Sequence, residues 1–161
     1  MEMAAHPQQE HRRQSRQAAP PHGGIAEGHE GMRYILPARD LITASVECMV
    51  RAHRFDGMVL MGSCDKIVPG MLMAAARLDI PAILVHGGPM LPSPSFRQKA
   101  RSNTTTISEA YGLYTKGEIS EAELQTMTTT CAMTCGACQF MGTANTMACF
   151  AEAIGLSLSG S

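Results

Sequence analysis

Two short apolar runs constrain this chain more than anything else in it. They are Met58-Val59-Leu60-Met61 and Ala82-Ile83-Leu84-Val85, and between them lies an apolar helical stretch opened by Pro69 and running to Leu78. Each run has the length of a strand, and the segment between them is long enough for a helix. Strand 58–61, helix 69–78 and strand 82–85 therefore define a β-α-β unit with parallel strands and a right-handed crossover. The expected class is α/β, a parallel sheet flanked by helices. Directly after the first strand stands Cys64-Asp65-Lys66, at the carboxyl end, where open α/β sheets place their ligands. A thiolate suits iron or zinc and a carboxylate suits magnesium or manganese, so soft and hard metal ligands stand side by side.

The 161 residues form one domain's worth of chain, long enough to bury a core. A net charge of −1 gives no reason to expect nucleic acid or an anionic membrane as a partner. No apolar run approaches the roughly 20 residues needed to span a bilayer. Met1 to Pro21 is polar and lacks the apolar centre of a secretory signal. These features point to the cytoplasm, where six cysteines stay reduced and free to bind metal.

Residues 1–23 carry no hydrophobic period and are expected to be a disordered or non-native leader, with folded sequence over 24–161. Asp40 is read as the cap of a helix reaching about His53, with Leu41, Ala44, Ser45, Cys48 and Met49 at helical spacing. Pro89, Pro92 and Pro94 make 89–103 a loop. A helix is expected over Thr104–Tyr114. Another starts at the capping box Ser120-Glu121-Ala122-Glu123 and ends near Thr130. Cys131 to Gly142 breaks periodicity, and a last helix from Thr143 presents Met147, Phe150, Ala151 and Ile154 on one face.

Three blocks of residues resemble one family. Cys64 to Ile83 followed by Gly87-Gly88-Pro89-Met90 resembles the first signature of the dihydroxy-acid dehydratase / phosphogluconate dehydratase family. Cys135-Gly136-Ala137-Cys138, Met141 to Met147 and Glu152 to Leu158 resemble its second signature, and Gly28 to Tyr34 resembles its glycine-rich opening segment. The resemblance runs from about Gly24 to Ser161, with blocks in order and register, which makes it far more specific than any one motif.

The resemblance implies a hydro-lyase that converts a 2,3-dihydroxy carboxylate to a 2-keto acid, with branched-chain amino-acid biosynthesis favoured over sugar-acid catabolism. It implies an iron–sulfur cluster, 2Fe–2S or 4Fe–4S, held by Cys64 and Cys138, with Cys135 as a weaker third choice. It also implies Mg2+ or Mn2+ on Asp65 and on Lys66, the latter carbamylated so that a cation becomes a carboxylate-like ligand. The complete enzyme is expected to be a homodimer acting on a small-molecule dihydroxy acid.

Departures from the family pattern matter too. No cysteine precedes Cys48, so an upstream cluster ligand is absent, and Gly23-Gly24 replaces an Asp-Gly that supplies a cation ligand. The catalytic base, thought to be a serine, lies in a C-terminal domain of the longer enzymes. The simplest reading is a fragment carrying an unrelated or frame-shifted leader, inactive alone and prone to associate through uncovered apolar surface.

Blander readings compete at each position. A lone cysteine is usually a small buried hydrophobe, which is the expectation for Cys149; Cys131 matches no motif. Asp65 and Lys66 taken alone read as a solvated ion pair. His29-Glu30 could be an acid–base pair, but a polar loop shaped by Gly28 and Gly31 is preferred. His53 and His86 lack partner spacing and read as structural, and the 13 methionines as core filling. Gly87-Gly88 could let the chain approach a ligand. Two further functions remain open: a non-catalytic metal-binding or interaction remnant on the same scaffold, and a zinc protein using Cys131, Cys135 and Cys138.

Overall fold

A computed structural model describes residues 26, 28–93, 104–131, 134–139 and 141–161. The leader read over 1–23 and most of the loop read over 89–103 lie outside them. A 3-10 turn, Glu30–Tyr34, leads into α1 (Ile35–His53), then β1 (Met58–Met61), α2 (Ile67–Leu78), β2 (Ala82–Val85), α3 (Thr104–Thr115), α4 (Glu121–Thr130) and α5 (Thr143–Ala153). The chain is α/β. Both strands fall where the apolar runs put them and pair in parallel, Met58 with Ala82 through Met61 with Val85.

Helix α1 differs from its expectation in start and in face. It begins at Ile35, because Pro37 sits in the first turn, where a missing N–H costs nothing. Asp40 is no cap; it pairs with Arg39 at 3.1 Å on the surface. The buried stripe is Ile35, Ala38, Ile42, Thr43, Val46 and Val50, whereas Leu41 is 70% exposed and Cys48 and Met49 face outward. The helix carries apolar residues on two faces, and the one that packs is set by α2. Helix α2 starts two residues before Pro69, again with proline in the first turn, and stops at Asp79 in a left-handed conformation (φ 50°).

The two helices meet at Gly70. A Cβ there would lie 2.8 Å from the Arg39 carbonyl oxygen and 3.1 Å from Ile42 Cβ. Beside this contact the fully buried Thr43 hydroxyl lies 2.9 Å from the Arg39 oxygen and 3.0 Å from the Gly70 oxygen, so its single proton is shared between the helices. Thr43→Val keeps the shape and removes that proton. It is expected to destabilise the chain by about 1 kcal/mol, read from a urea transition.

The core joins these helices to the sheet: Ile42, Val46, Val50, Leu60, Val68, Met71, Leu72, Leu84 and Ala151, with Met147 and Leu156 packed against it. After α5 the chain returns along the free edge of β2, where the Leu84 N–H donates to the Leu156 oxygen at 2.6 Å. Helix α5 buries Ala144, Ala148 and Ala151. Of the residues expected on its packed face, Ala151 and Met147 do pack on the core, whereas Phe150 and Ile154 are each 48% exposed. The opposite face of the sheet is bare, with Val59 66% and Met61 73% exposed, although parallel sheets are ordinarily covered on both sides.

A second cluster, Ala110, Ile119 and Met127 with Leu113 and Leu124, closes the α3–α4 hairpin. The capping box forms as expected: Glu123 Oε2 accepts from the Ser120 N–H at 2.9 Å while Ser120 Oγ accepts from the Glu123 N–H at 3.3 Å.

Candidate metal centre

The site grows from the carboxyl ends of β1 and β2. After Met61 the chain turns sharply through Gly62 and Cys64, with Asp65 in the left-handed region at φ 40°. Aspartate tolerates this conformation better than most residues, yet it is strained there, and such strain collects at functional sites. Lys66 Nζ lies 2.7 Å from Asp65 Oδ1 in a half-buried ion pair. As an ammonium, this lysine neutralises the carboxylate and would repel a cation.

A main-chain seam brings the second signature to this turn. The Ala137 N–H donates to the Gly88 oxygen at 2.7 Å, the Met90 N–H to the Cys138 oxygen at 2.9 Å, and the Leu91 N–H to Thr134 Oγ1 at 2.9 Å. Asn145 Nδ2, from the first turns of α5, also donates to the Cys138 oxygen at 3.2 Å.

Three glycines permit this contact. A Cβ on Gly87 would lie 3.2 Å from Ser63 Oγ and 3.4 Å from the Ala137 nitrogen, and one on Gly136 would lie 2.6 Å from Met90 Cγ. Gly88 takes φ 68°. Gly87 thus lies against the chain's own cysteine loop, whereas a Cβ on Gly88 would meet nothing within 4 Å.

This seam sets Cys138 beside Cys64. Burial pushes the Cys64 thiol above its ordinary pKa; the nearby Cys138 and the Asp65 carboxylate push the same way, against backbone hydrogen bonds from Asp65 and Ala144. Ala144 belongs to the first turn of α5, so the helix that follows Cys138 in sequence also points an N–H at Cys64.

The other cysteines stand apart. Cys135 is exposed, and so are Cys48 and Cys149. Cys149 is therefore not a core residue, since it lies on α5 away from the alanine face that packs. Cys131 is buried at the end of α4, and Gln139 Nε2 donates to its oxygen. Cys131, Cys135 and Cys138 do not close on one point, which removes the geometric support for a zinc site built from them.

The histidines have local roles. His29 Nδ1 accepts the Gly31 N–H at 3.0 Å as cap of the 3-10 turn. The His53 ring stacks on Phe55 with centroids 5.3 Å apart. His86 Nδ1 accepts the Gly88 N–H at 3.1 Å. Nothing in the residue spacing signals the seam or the part played in it by Gly136.

Tested against the cluster and cation that the resemblance implies, the donors fit in part. Two thiols and a carboxylate gather at one end of the sheet, but among the described residues no three His, Cys, Asp or Glu side chains form a group that could hold a metal. Cysteine-only clusters take four thiolates. Cys64 and Cys138 fit as two of the ligands, and the described residues do not complete the set.

A parallel β-α-β unit flanked by helices, with two cysteines brought to its carboxyl end, defines an α/β domain. The profile of the Dihydroxy-acid/6-phosphogluconate dehydratase N-terminal family matches residues 12–161, and the chain belongs to that family. It is 55% identical over 137 residues to "Dihydroxy-acid dehydratase 1" of Methanosarcina acetivorans, covering 85% of this chain and 24% of that protein. It is 53% identical over 137 residues to the dihydroxy-acid dehydratase of Thermodesulfovibrio yellowstonii (85% and 25%). Over 136 residues it is 53% identical to that of Pyrococcus abyssi (84% and 24%). The chain thus spans about a quarter of the length of the curated relatives it matches.

Proposed function

We propose that this chain supplies the cluster- and cation-binding part of a hydro-lyase that converts a 2,3-dihydroxy carboxylate to a 2-keto acid. The observation that carries the proposal is the juxtaposition of Cys64 and Cys138, brought together from distant parts of the sequence by the seam between 87–91 and 134–139. The relatives' names favour the branched-chain amino-acid route over sugar-acid breakdown.

Cys64 and Cys138 would hold an iron–sulfur cluster, 2Fe–2S or 4Fe–4S, with Cys135 in reserve; Asp65 and a carbamylated Lys66 would face Mg2+ or Mn2+. When bound, these groups supply Lewis acids for a departing hydroxyl and for the substrate carboxylate. The chain's own contribution is positional. Burial raises the Cys64 pKa, and the N–H groups of Asp65 and Ala144 act against that rise; the strained turn at Asp65 holds its carboxylate beside the cysteine. Carbamylation of Lys66 would remove the ammonium that now neutralises Asp65. The assembled enzyme would be a cytoplasmic homodimer with no nucleic-acid or membrane partner. The near-neutral charge gives no reason to expect nucleic acid or an anionic membrane as a partner, and no described helix is long and apolar enough to cross a membrane.

With no complete ligand group among the described residues, the 161 residues alone are expected to give no turnover. The test is a chimera in which the 137 matching residues replace their counterparts in the Methanosarcina acetivorans relative. Keto-acid formation from a branched 2,3-dihydroxy acid is expected, and loss of it on Cys64→Ser. A folded chimera that holds iron without turnover would contradict the lyase reading. It would favour the second one, a non-catalytic metal-binding or interaction remnant, which the incomplete ligand set supports.

A further inference from the structure

We propose that His86 is a binding residue of the same site, its Nε2–H donating a hydrogen bond to an anionic sulfur or oxygen of whatever group the Cys64–Cys138 end of the sheet holds. The proposal rests on the reading above but on a different observation. The Gly88 N–H occupies the Nδ1 lone pair of His86 at 3.1 Å, so the neutral ring carries its proton on Nε2. That nitrogen is buried and has no partner among the described residues. Buried polar groups are nearly always satisfied, and one that is not calls for an explanation, which a group bound beside the cysteines supplies.

The position of His86 says which group. Val85 is in register with Met61, so His86 stands opposite Gly62, where the Cys64–Lys66 turn leaves the sheet. Strand alternation puts it on the inward side with the buried Leu84, the side on which α5 packs. Its neighbours are tied to both halves of the site, Gly87 against Ser63 and Gly88 to Ala137. The other buried unpaired polar atom among the described residues, Gln139 Oε1, is no partner for it. The seam pairs 137 with 88, 138 with 90 and 139 with 91, each step leading away from His86. A structural role alone would not need this ring, because an asparagine oxygen makes the same turn bond.

That equivalence supplies the test. His86→Asn keeps the acceptor for Gly88 and deletes the Nε2–H; His86→Gln keeps an N–H near the Nε2 position and loses the turn bond. The 161-residue chain and both variants are titrated anaerobically with ferrous iron and sulfide, with an external thiol supplying the remaining ligands, and then with a 2,3-dihydroxy carboxylate, alongside thermal unfolding. His86→Asn is expected to unfold like the parent yet bind about tenfold more weakly, roughly 1.4 kcal/mol. His86→Gln is expected to unfold earlier yet bind within about threefold of the parent. Weakening in the iron and sulfide arm assigns the acceptor to sulfur, and weakening only in the acid arm assigns it to oxygen. Parent-like binding by His86→Asn in both arms overturns the proposal and leaves the functional reading intact. A parent chain that takes up neither probe overturns both. Histidine-selective 15N spectra add an independent check, since a proton on Nδ1 in place of Nε2 would also overturn it.

Discussion

Gly136→Ala is expected to part the two cysteines and abolish iron uptake while the helices stay folded. At φ 149° the backbone there is open to glycine and strained for any other residue. The new Cβ would sit 2.6 Å from Met90 Cγ, 2.7 Å from the Met90 nitrogen and 2.9 Å from the Pro89 carbonyl carbon. Two of these atoms are backbone, so a side-chain rotation cannot relieve the clash. Conformational strain of about 1–3 kcal/mol adds to overpacking of about 1–3 kcal/mol. The three hydrogen bonds of the seam return only about 1 kcal/mol each. The seam should therefore open before its atoms compress, carrying Cys138 away from Cys64. Iron content after anaerobic loading should fall to background with an unchanged far-ultraviolet dichroism spectrum. Gly117→Ala is the control: φ is 74° there, but nothing lies within 4 Å of the added carbon, so iron content should not change. Full iron content in Gly136→Ala would mean that the seam does not position Cys138.

Leu84→Ala should have the largest effect on stability. Leu84 is 1% exposed and heads the fully buried side chains. It packs among Leu60, Val68 and Leu72 at the centre of the only sheet in the described residues. Truncating its isobutyl group to a methyl leaves a cavity and is expected to cost about 2–5 kcal/mol, against a total of about 5–15 kcal/mol for an ordinary domain. With one face of the sheet bare, this chain has less burial to draw on. A large shift of the urea midpoint, or loss of the cooperative transition, is the expected result. Val59→Ala, on the uncovered face, should move the midpoint by less than about 0.5 kcal/mol. If both variants behave alike, the core assignment is wrong.

The parts legible in the sequence were those with a local cause. Both strands fell where four apolar residues in a row stand between turn-forming neighbours, and α4 began at its capping box. Helix starts were read late wherever a proline sits inside the first turn, at Pro37 and Pro69. The packed face differs from the sequence pattern throughout α1 and in part on α5, where Met147 and Ala151 pack but Phe150 and Ile154 do not; what decides is a distant contact, Gly70 for α1 and the alanine face for α5. At the site, residue types and spacing singled out Cys64, Asp65, Lys66 and Cys138. The seam that gathers Cys138 to Cys64 is largely main-chain hydrogen bonding, which leaves little trace in residue type. Gly136 and the second nitrogen of His86 escaped notice for the same reason.

The most direct test loads the 161-residue chain with iron and sulfide without oxygen, with an external thiol supplying the remaining ligands, in the parent and in Cys64→Ser, Cys138→Ser and Cys135→Ser. Uptake of both elements by the parent is expected, with loss in the first two variants and retention in Cys135→Ser, whose thiol is exposed. Equal iron in the parent and in Cys64→Ser, or no uptake by the parent, would contradict a metal centre built on Cys64 and Cys138.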